Sequence, residues 1–312
     1  MLAKKYGYLP YMIERYLSFL GEKQTIQYLK ANEKPLKPFI RVNTLKIKPK
    51  DLKERLTRKG FLLSPTQWVP YAFEVKQRPY NLGSSHEFLQ GLYYLQNLAS
   101  MLPAQVLNPQ LDEIIIDMCA SPGSKSTQLA QLMGNQGKLI LIEKYKNRIP
   151  SLSVNLRRMG VLNSILLQMD AIKLENLNIK ADKILLDAPC TGEGLIREDN
   201  TRKKSKSLKE LQRMSQLQRL LLKSGLASLK PDGILLYSTC SIAPEENELV
   251  IDDVLKNHSQ YRIINISRQY GVEGLTEYQG KELNTDLKLT QRLYPHLQDT
   301  IGFFICLIKK FK

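Results

Sequence analysis

Ile114-Ile115-Ile116-Asp117-Met118-Cys119-Ala120-Ser121-Pro122-Gly123-Ser124-Lys125 passes from an apolar triplet through an acid into a run of small residues. The triplet predicts a buried strand, and the amphipathic stretch from Ser126 to Met133 predicts a helix directly after the loop. Small residues between the two let backbone N–H groups come close to a ligand at the helix N-terminus. The loop is not a phosphate-binding P-loop, because no glycine stands five residues before Gly123 or before the Ser124-Lys125 pair. It also lacks the G-x-G-x-x-G spacing of a dinucleotide site.

Downstream the same strand and helix alternation continues. Residues 138–142, 164–167, 183–186, 233–237 and 302–307 read as strands, and 148–159 and 208–228 as helices, the second with Leu211, Met214, Leu217 and Leu221 on one face. Near-continuous apolar strands between amphipathic helices are what a parallel sheet covered on both faces requires, so the expected fold is doubly wound α/β. Ligands in that architecture sit beyond the carboxyl ends of the strands.

Upstream the pattern differs. From Tyr8 to Ala31 apolar residues recur at helical spacing on either side of Gly21, which predicts two short helices, and residues 33–38 break the pattern with two prolines. Phe39 to Leu45 then reads as a strand, Pro49 to Lys59 as a helix with proline in its first turn, and Phe61-Leu62-Leu63 as a return strand, a small α+β unit. Two domains are expected, 1–85 and 86–312.

Acids close three successive strands: Glu143, Asp170 and Asp187. Each alone reads equally well as a helix cap or a solvated loop residue. Together they point to a ligand. A carboxylate at Glu143 suits two ribose hydroxyls, and Asp170 before Ala171 suits an adenine amino group. Backbone donors for a carboxylate, with acids for amino and hydroxyl groups, favour S-adenosylmethionine over NAD or ATP.

The chain has 312 residues, with 46 Lys and Arg against 30 Asp and Glu, a formal charge of +16. Such a surface attracts polyanions, nucleic acid first among them, although a surplus of lysine also serves solubility. Four cysteines without CxxC spacing and three histidines indicate neither a disulfide framework nor a zinc ribbon, so no metal is expected and the thiols are expected to be reduced. No apolar stretch approaches the ~20 residues that span a bilayer, and Met1 to Gly7 lacks the apolar segment of a signal peptide. A cytoplasmic monomer without membrane contact is expected.

Two cysteines stand at strand ends in distinct contexts, in Asp187-Ala188-Pro189-Cys190 and Ser238-Thr239-Cys240-Ser241. A thiolate is a strong nucleophile, but a free thiol of pKa ~8.5 needs help to ionise near neutrality. An isolated cysteine is more often a small buried hydrophobe. The context is more specific: Asp187 to Gly194, Lys230-Pro231-Asp232-Gly233 and Tyr237 to Ile242 with Glu245-Glu246-Asn247 resemble the RNA cytosine-5 methyltransferases of the Nop2/Sun/Fmu (RsmB/NOP) family. Residues 41–46, 91–100, 292–296 and 302–304 extend the resemblance over roughly residues 38 to 310, to an archaeal, tRNA-type member.

The resemblance implies a Rossmann-like class I methyltransferase sheet with a small RRM-like N-terminal domain, S-adenosylmethionine as donor, and RNA as partner, tRNA ahead of rRNA. It implies that Cys240 attacks C6 of the target cytosine, that Cys190 assists release, and that Asp187 contacts the N3/N4 edge of the base. It assigns donor binding to Cys119, Ala120, Ser121, Pro122, Gly123, Ser124 and Lys125, with Glu143, Arg148, Asp170 and Asp187; Lys125 alternatively reads as a structural surface lysine. Arg41, Asn43, Lys46, Arg197, Arg202, Lys203 and His296 are the expected RNA contacts. Ser124 departs from the family's usual second glycine, and Glu198 stands where a second basic residue is often found. A DNA cytosine-5 methyltransferase with Cys190 as nucleophile and a non-catalytic RNA-binding assembly factor are the rival readings.

Overall fold

The computed structural model describes residues 1–312. A four-stranded antiparallel sheet comes first, formed by β1 (Phe39–Val42), β2 (Leu62–Pro65), β3 (Ala72–Gln77) and β4 (Tyr93–Leu95) in the order β2-β3-β1-β4. With the helix Pro49–Thr57 after β1 and the short helix His86–Leu89 before β4, the unit runs βαββαβ, in keeping with the RRM-like domain that the resemblance implies. The sequence reading passed over β3, and β4 lies beyond the expected division at residue 85. The chain cannot leave the small sheet there, because β4 pairs with β1 from Ile40↔Leu95 to Val42↔Tyr93.

The large sheet contains the parallel strands β5 (Ile114–Asp117), β6 (Lys138–Glu143), β7 (Ser164–Gln168), β8 (Ala181–Asp187) and β9 (Leu229–Thr239). Antiparallel strands follow: β10 (Tyr261–Ile264), β11 (Val272–Glu273), β14 (Gln291–Leu293) and β15 (Phe303–Lys310), while β12 (Glu277–Tyr278) and β13 (Lys281–Glu282) form a separate hairpin. The order is β11-β14-β15-β9-β8-β5-β6-β7, with β10 on the far part of β15. Chain order reverses between β5 and β8, which opens the crevice where doubly wound sheets bind ligands.

The local sequence explains the elements around that crevice. Gly123 takes φ 103° at the start of the helix Ser124–Leu132, and a Cβ there would sit 2.9 Å from Leu152 Cδ1, so the turn requires glycine. Ser207 caps the helix Leu208–Ala227 by accepting from Glu210 N–H. That helix buries Leu211, Leu221, Leu222 and Leu226, while Met214 and Leu217 from the middle of its predicted apolar face line a cavity. The N-terminal helical segment Pro10–Asn32 breaks at Gly21, as its spacing predicts, and with Tyr8 just before it packs Met12, Ile13, Tyr16, Tyr28 and Leu29 against Ile196, Ile242 and Tyr294 of the large unit. No helix is long and apolar enough to cross a membrane.

Candidate active site

The acid and the thiols meet where β8 and β9 end side by side. The pairing Asp187↔Ser238 sets them level, and Asp187 Oδ1 accepts from Ser238 Oγ at 2.8 Å. Asp187 Oδ2 accepts from Lys125 Nζ at 2.6 Å, and the same ammonium donates to Ser100 Oγ at 3.0 Å. Lys125 is therefore not a surface lysine. It is buried, 8% exposed, and reaches from the first loop to Asp187.

Cys190 Sγ and Cys240 Sγ are 3.3 Å apart, and both are partly exposed. The hydrogen bond to Cys240, followed by burial, pushes the Cys190 thiol well up. The loops that carry them are tied together. Gly194 N–H donates to the Cys240 carbonyl and Gly302 N–H to the Gly194 carbonyl, both at 2.9 Å; a Cβ on Gly194 would lie 2.1 Å from the Gly302 oxygen. Glu246, fully buried, accepts from Thr191 N–H at 2.8 Å and from Thr191 Oγ1 at 2.6 Å. Asn247 accepts from Thr239 Oγ1 at 2.6 Å and donates to the Ser241 carbonyl at 3.0 Å. The sequence motif contained Glu246 and Asn247 without assigning them a task; each fixes the residue next to one thiol.

A cavity of about 150 Å³ opens beyond β5, β6 and β7, with Cys119, Glu143, Arg148, Asp170, Ala171 and Pro189 among its walls and Met214, Leu217 and Leu221 as its apolar side. Pro189 precedes Cys190, so the cavity and the thiols are neighbours along the chain. Glu143 is buried, takes Tyr145 N–H at 2.8 Å and has Arg148 Nη1 3.6 Å from its other oxygen. Burial raises Asp170, but Lys144 at 2.7 Å and the Ile172 N–H outweigh it and hold the carboxyl below its ordinary value. Arg148 Nη2 also holds the Ser121 carbonyl at 2.7 Å, joining the first loop to this wall. Ala120 donates its N–H to Ile142, Pro122 gives its carbonyl to Asn155, and Ser124 gives its carbonyl to Arg41; these three and Gly123 shape the loop and are not among the cavity's walls. Two carboxylates opposite a Met and Leu face fit an adenosine moiety, with acceptors for hydroxyl and amino groups and an apolar surface for the ring.

Asp117, at the end of β5, was part of the motif but not among the expected site residues. It is 1% exposed and accepts from Ser126 Oγ at 2.7 Å and Cys119 N–H at 3.3 Å. Burial pushes it up to about 6 against the opposing Ser126 hydroxyl, with the nearby Asp187 adding to the rise.

Three expected RNA contacts are corrected by the structure. Arg41 is wholly buried, with its guanidinium on Gln96, Gln128, Thr127 and the Ser124 carbonyl. It joins the small sheet to the helix after the first loop. Asn43 is buried and donates to the Gly91 and Met159 carbonyls. Arg197 donates to the Lys34 and Pro35 carbonyls and pairs with Asp299, which leaves its fork no free face. The others sit nearer the surface with partners of their own. Lys46 donates to the Gln90 and Arg158 carbonyls, Arg202 to the Thr191 carbonyl, Lys203 pairs with Glu33, and His296 shares a 2.8 Å hydrogen bond with Gln24.

A reversed doubly wound sheet with a cavity beyond its strand ends and a small βαββαβ unit ahead of it defines a class I methyltransferase fold. Residues 104–309 match the family model of the 16S rRNA methyltransferase RsmB/F, and residues 9–98 that of the N-terminal domain of 16S rRNA methyltransferase RsmF. The chain belongs to the RsmB/F (NOP2/Sun) family. It is 37% identical over 98% of its length to the 25S rRNA (cytosine-C(5))-methyltransferase nop2 of Schizosaccharomyces pombe, spanning 51% of that relative. It is 36% identical to the tRNA (cytosine(49)-C(5))-methyltransferase of Pyrococcus abyssi, over 96% of this chain and 95% of that one. A crystal structure of a methyltransferase homolog protein from Pyrococcus horikoshii superposes with a TM-score of 0.90 at 41% identity, covering 99% of this chain and 97% of the other. The chain thus spans about half the length of the fission-yeast relative and nearly all of the archaeal one.

Proposed function

We propose that the chain is an S-adenosylmethionine-dependent RNA methyltransferase that forms 5-methylcytosine, with tRNA as its substrate. The observation that carries this reading is the pair of thiols 3.3 Å apart, beside Asp187 and one residue from the wall of the donor cavity. Neither rival reading accounts for both thiols: the DNA enzymes place their nucleophile in the Pro-Cys motif and have no need of Cys240, and an assembly factor needs no thiol pair.

Cys240 Sγ adds to C6 of an extruded cytosine, and the electron pair released toward C5 makes that carbon nucleophilic. S-adenosylmethionine supplies the methyl group. Asp187, fixed by Lys125 and Ser238, meets the N3/N4 edge of the base and keeps C6 over the sulfur. With Cys190 assisting, the C5 proton is then lost to solvent through the partly exposed site, its electron pair restores the C5=C6 double bond, and the Cys240 Sγ–C6 bond breaks with the pair returning to sulfur. Glu143, Asp170 and Arg148 hold the donor.

The formal charge of +16 suits a polyanionic substrate. The end-to-end match with the Pyrococcus abyssi tRNA enzyme supports tRNA, and the fission-yeast relative supports an rRNA target as the second reading. Bisulfite sequencing of total RNA with and without the gene separates them. Trapping on 5-fluorocytosine RNA tests the chemistry: the wild type and Cys190→Ala give a covalent complex, and Cys240→Ala gives none. A complex lost in Cys190→Ala and kept in Cys240→Ala overturns the assignment.

A further inference from the structure

Arg15, on the N-terminal helical segment, touches both loops that carry the thiols. Its Nη2 donates to both carboxylate oxygens of Glu193, three residues after Cys190, and its Nη1 lies 3.8 Å from Glu245 Oε2, five residues after Cys240. Tyr16 on the same helix donates its hydroxyl to Glu193. Arg15 and Glu193 are 5% and 3% exposed. Each end of the clasp abuts a group that already fixes a thiol: Gly194, next to Glu193, bonds the Cys240 carbonyl, and Glu246, next to Glu245, takes both donors of Thr191. The helix is fastened to the segment beyond Cys190 at two further points, Leu9 N–H to the Lys203 carbonyl at 3.1 Å and Tyr11 Oη to the Lys206 carbonyl at 2.9 Å.

A buried ion pair adds little net stability over apolar residues of similar shape, because desolvating both charges offsets their attraction; what it adds is a fixed geometry. Here the geometry is chiefly that of the loop carrying Cys190: Glu193 lies three residues along that loop, whereas Cys240 is held independently at the end of β9, where Asn247 binds Thr239 and Ser241 on either side of it. On the reading proposed above, attack at C6 and methyl transfer run on Cys240 and Asp187, and only the breakdown of the adduct calls on Cys190.

We infer that Arg15 and Tyr16 are positioning residues for adduct breakdown, holding Cys190 in place through Glu193. A loosened clasp lets the Cys240 Sγ–C6 bond form and C5 take its methyl group, but delays removal of the C5 proton and return of the electron pair to sulfur. The covalent enzyme–RNA species then accumulates on ordinary cytosine, which a general loss of packing does not produce.

The test uses the full chain, a tRNA transcript with unmodified cytosine and labelled donor, with the covalent complex quantified on denaturing gels. In Arg15→Met and Glu193→Gln the adduct fraction rises about tenfold and steady-state turnover falls about tenfold, as expected for a group displaced by a fraction of an ångström. Single-turnover methyl incorporation stays within about twofold of wild type. Tyr16→Phe keeps the shape of the buried side chain and removes one hydrogen bond. It shifts the adduct fraction the same way by about threefold, and it serves as the reading should either charge variant fail to fold. Wild-type adduct levels in the folded variants overturn the inference, as does a loss of single-turnover incorporation without adduct. Cys190→Ala is the positive control. A wild type that neither methylates nor traps on 5-fluorocytosine RNA defeats the underlying function instead.

Discussion

Cys190 Sγ and Cys240 Sγ face each other at 3.3 Å from the ends of loops that leave adjacent parallel strands. The contact has an electrostatic consequence for one partner. Cys190 is pushed up first by its hydrogen bond to Cys240 and then by burial. Removing the partner thiol therefore moves the Cys190 titration down toward the ordinary cysteine range, although burial keeps it from reaching that range. The pH dependence of iodoacetamide labelling, followed at Cys190 by peptide mass spectrometry, is expected to show a lower midpoint in Cys240→Ala than in the wild type. An unmoved midpoint would mean that Cys240 does not hold the Cys190 proton.

The large sheet was legible because buried parallel strands write themselves as apolar runs and because acids at their ends stand out against those runs. Glu143, Asp170 and Asp187 were found in this way, and the structure places the first two on one cavity wall and the third beside the thiols. Motif matching alone brought Cys190 and Cys240 together, since fifty residues separate them and no periodicity links them. Arg41 was misread for the opposite reason. An arginine in an alternating strand looks like a surface cation, and nothing local reveals that its four partners lie 55 to 87 residues away, one just after β4 and three on the helix Ser124–Leu132. Separations as large or larger hid the tie from Lys125 to Asp187 and that from Arg15 to Glu193. The strand Ala72–Gln77 is absent from the expected elements although Phe73-Glu74-Val75-Lys76 alternates.

Arg41 thereby separates packing from RNA contact. Burial pulls its guanidinium down to about 10, still charged near neutrality, and its donors hold four acceptors at the junction of the small sheet with the helix Ser124–Leu132. Arg41→Met leaves several of those acceptors without a donor. A loss of about 2 kcal/mol is expected, given that one buried group left unsatisfied costs about 1–3 kcal/mol. Denaturant unfolding reads this loss. The slope of RNA affinity against salt is expected to stay at its wild-type value, because no phosphate contact disappears. A shallower slope with unchanged stability would return Arg41 to the RNA surface.

Asp117 predicts a pH dependence of the opposite sign to that of most paired acids. Its folded-state value of about 6 lies above the ordinary 3.8, so between these limits the folded chain keeps a proton that the unfolded chain has released. Stability contributed by the protonated carboxyl is present in full below the unfolded value and falls as pH rises toward 6. Two pKa units correspond to about 3 kcal/mol as an upper bound. Asp117→Asn cannot titrate. Its amide oxygen can accept from the Cys119 N–H while its amide nitrogen donates to the Ser126 hydroxyl, which serves in either role. The stability of the variant minus that of the wild type, from urea unfolding at a series of pH values, is therefore expected to rise between pH 4 and 6 and then level off. A difference that stays flat across this window would show that the folded protein holds Asp117 ionised, and that the hydrogen bonds from Ser126 and Cys119 outweigh its burial.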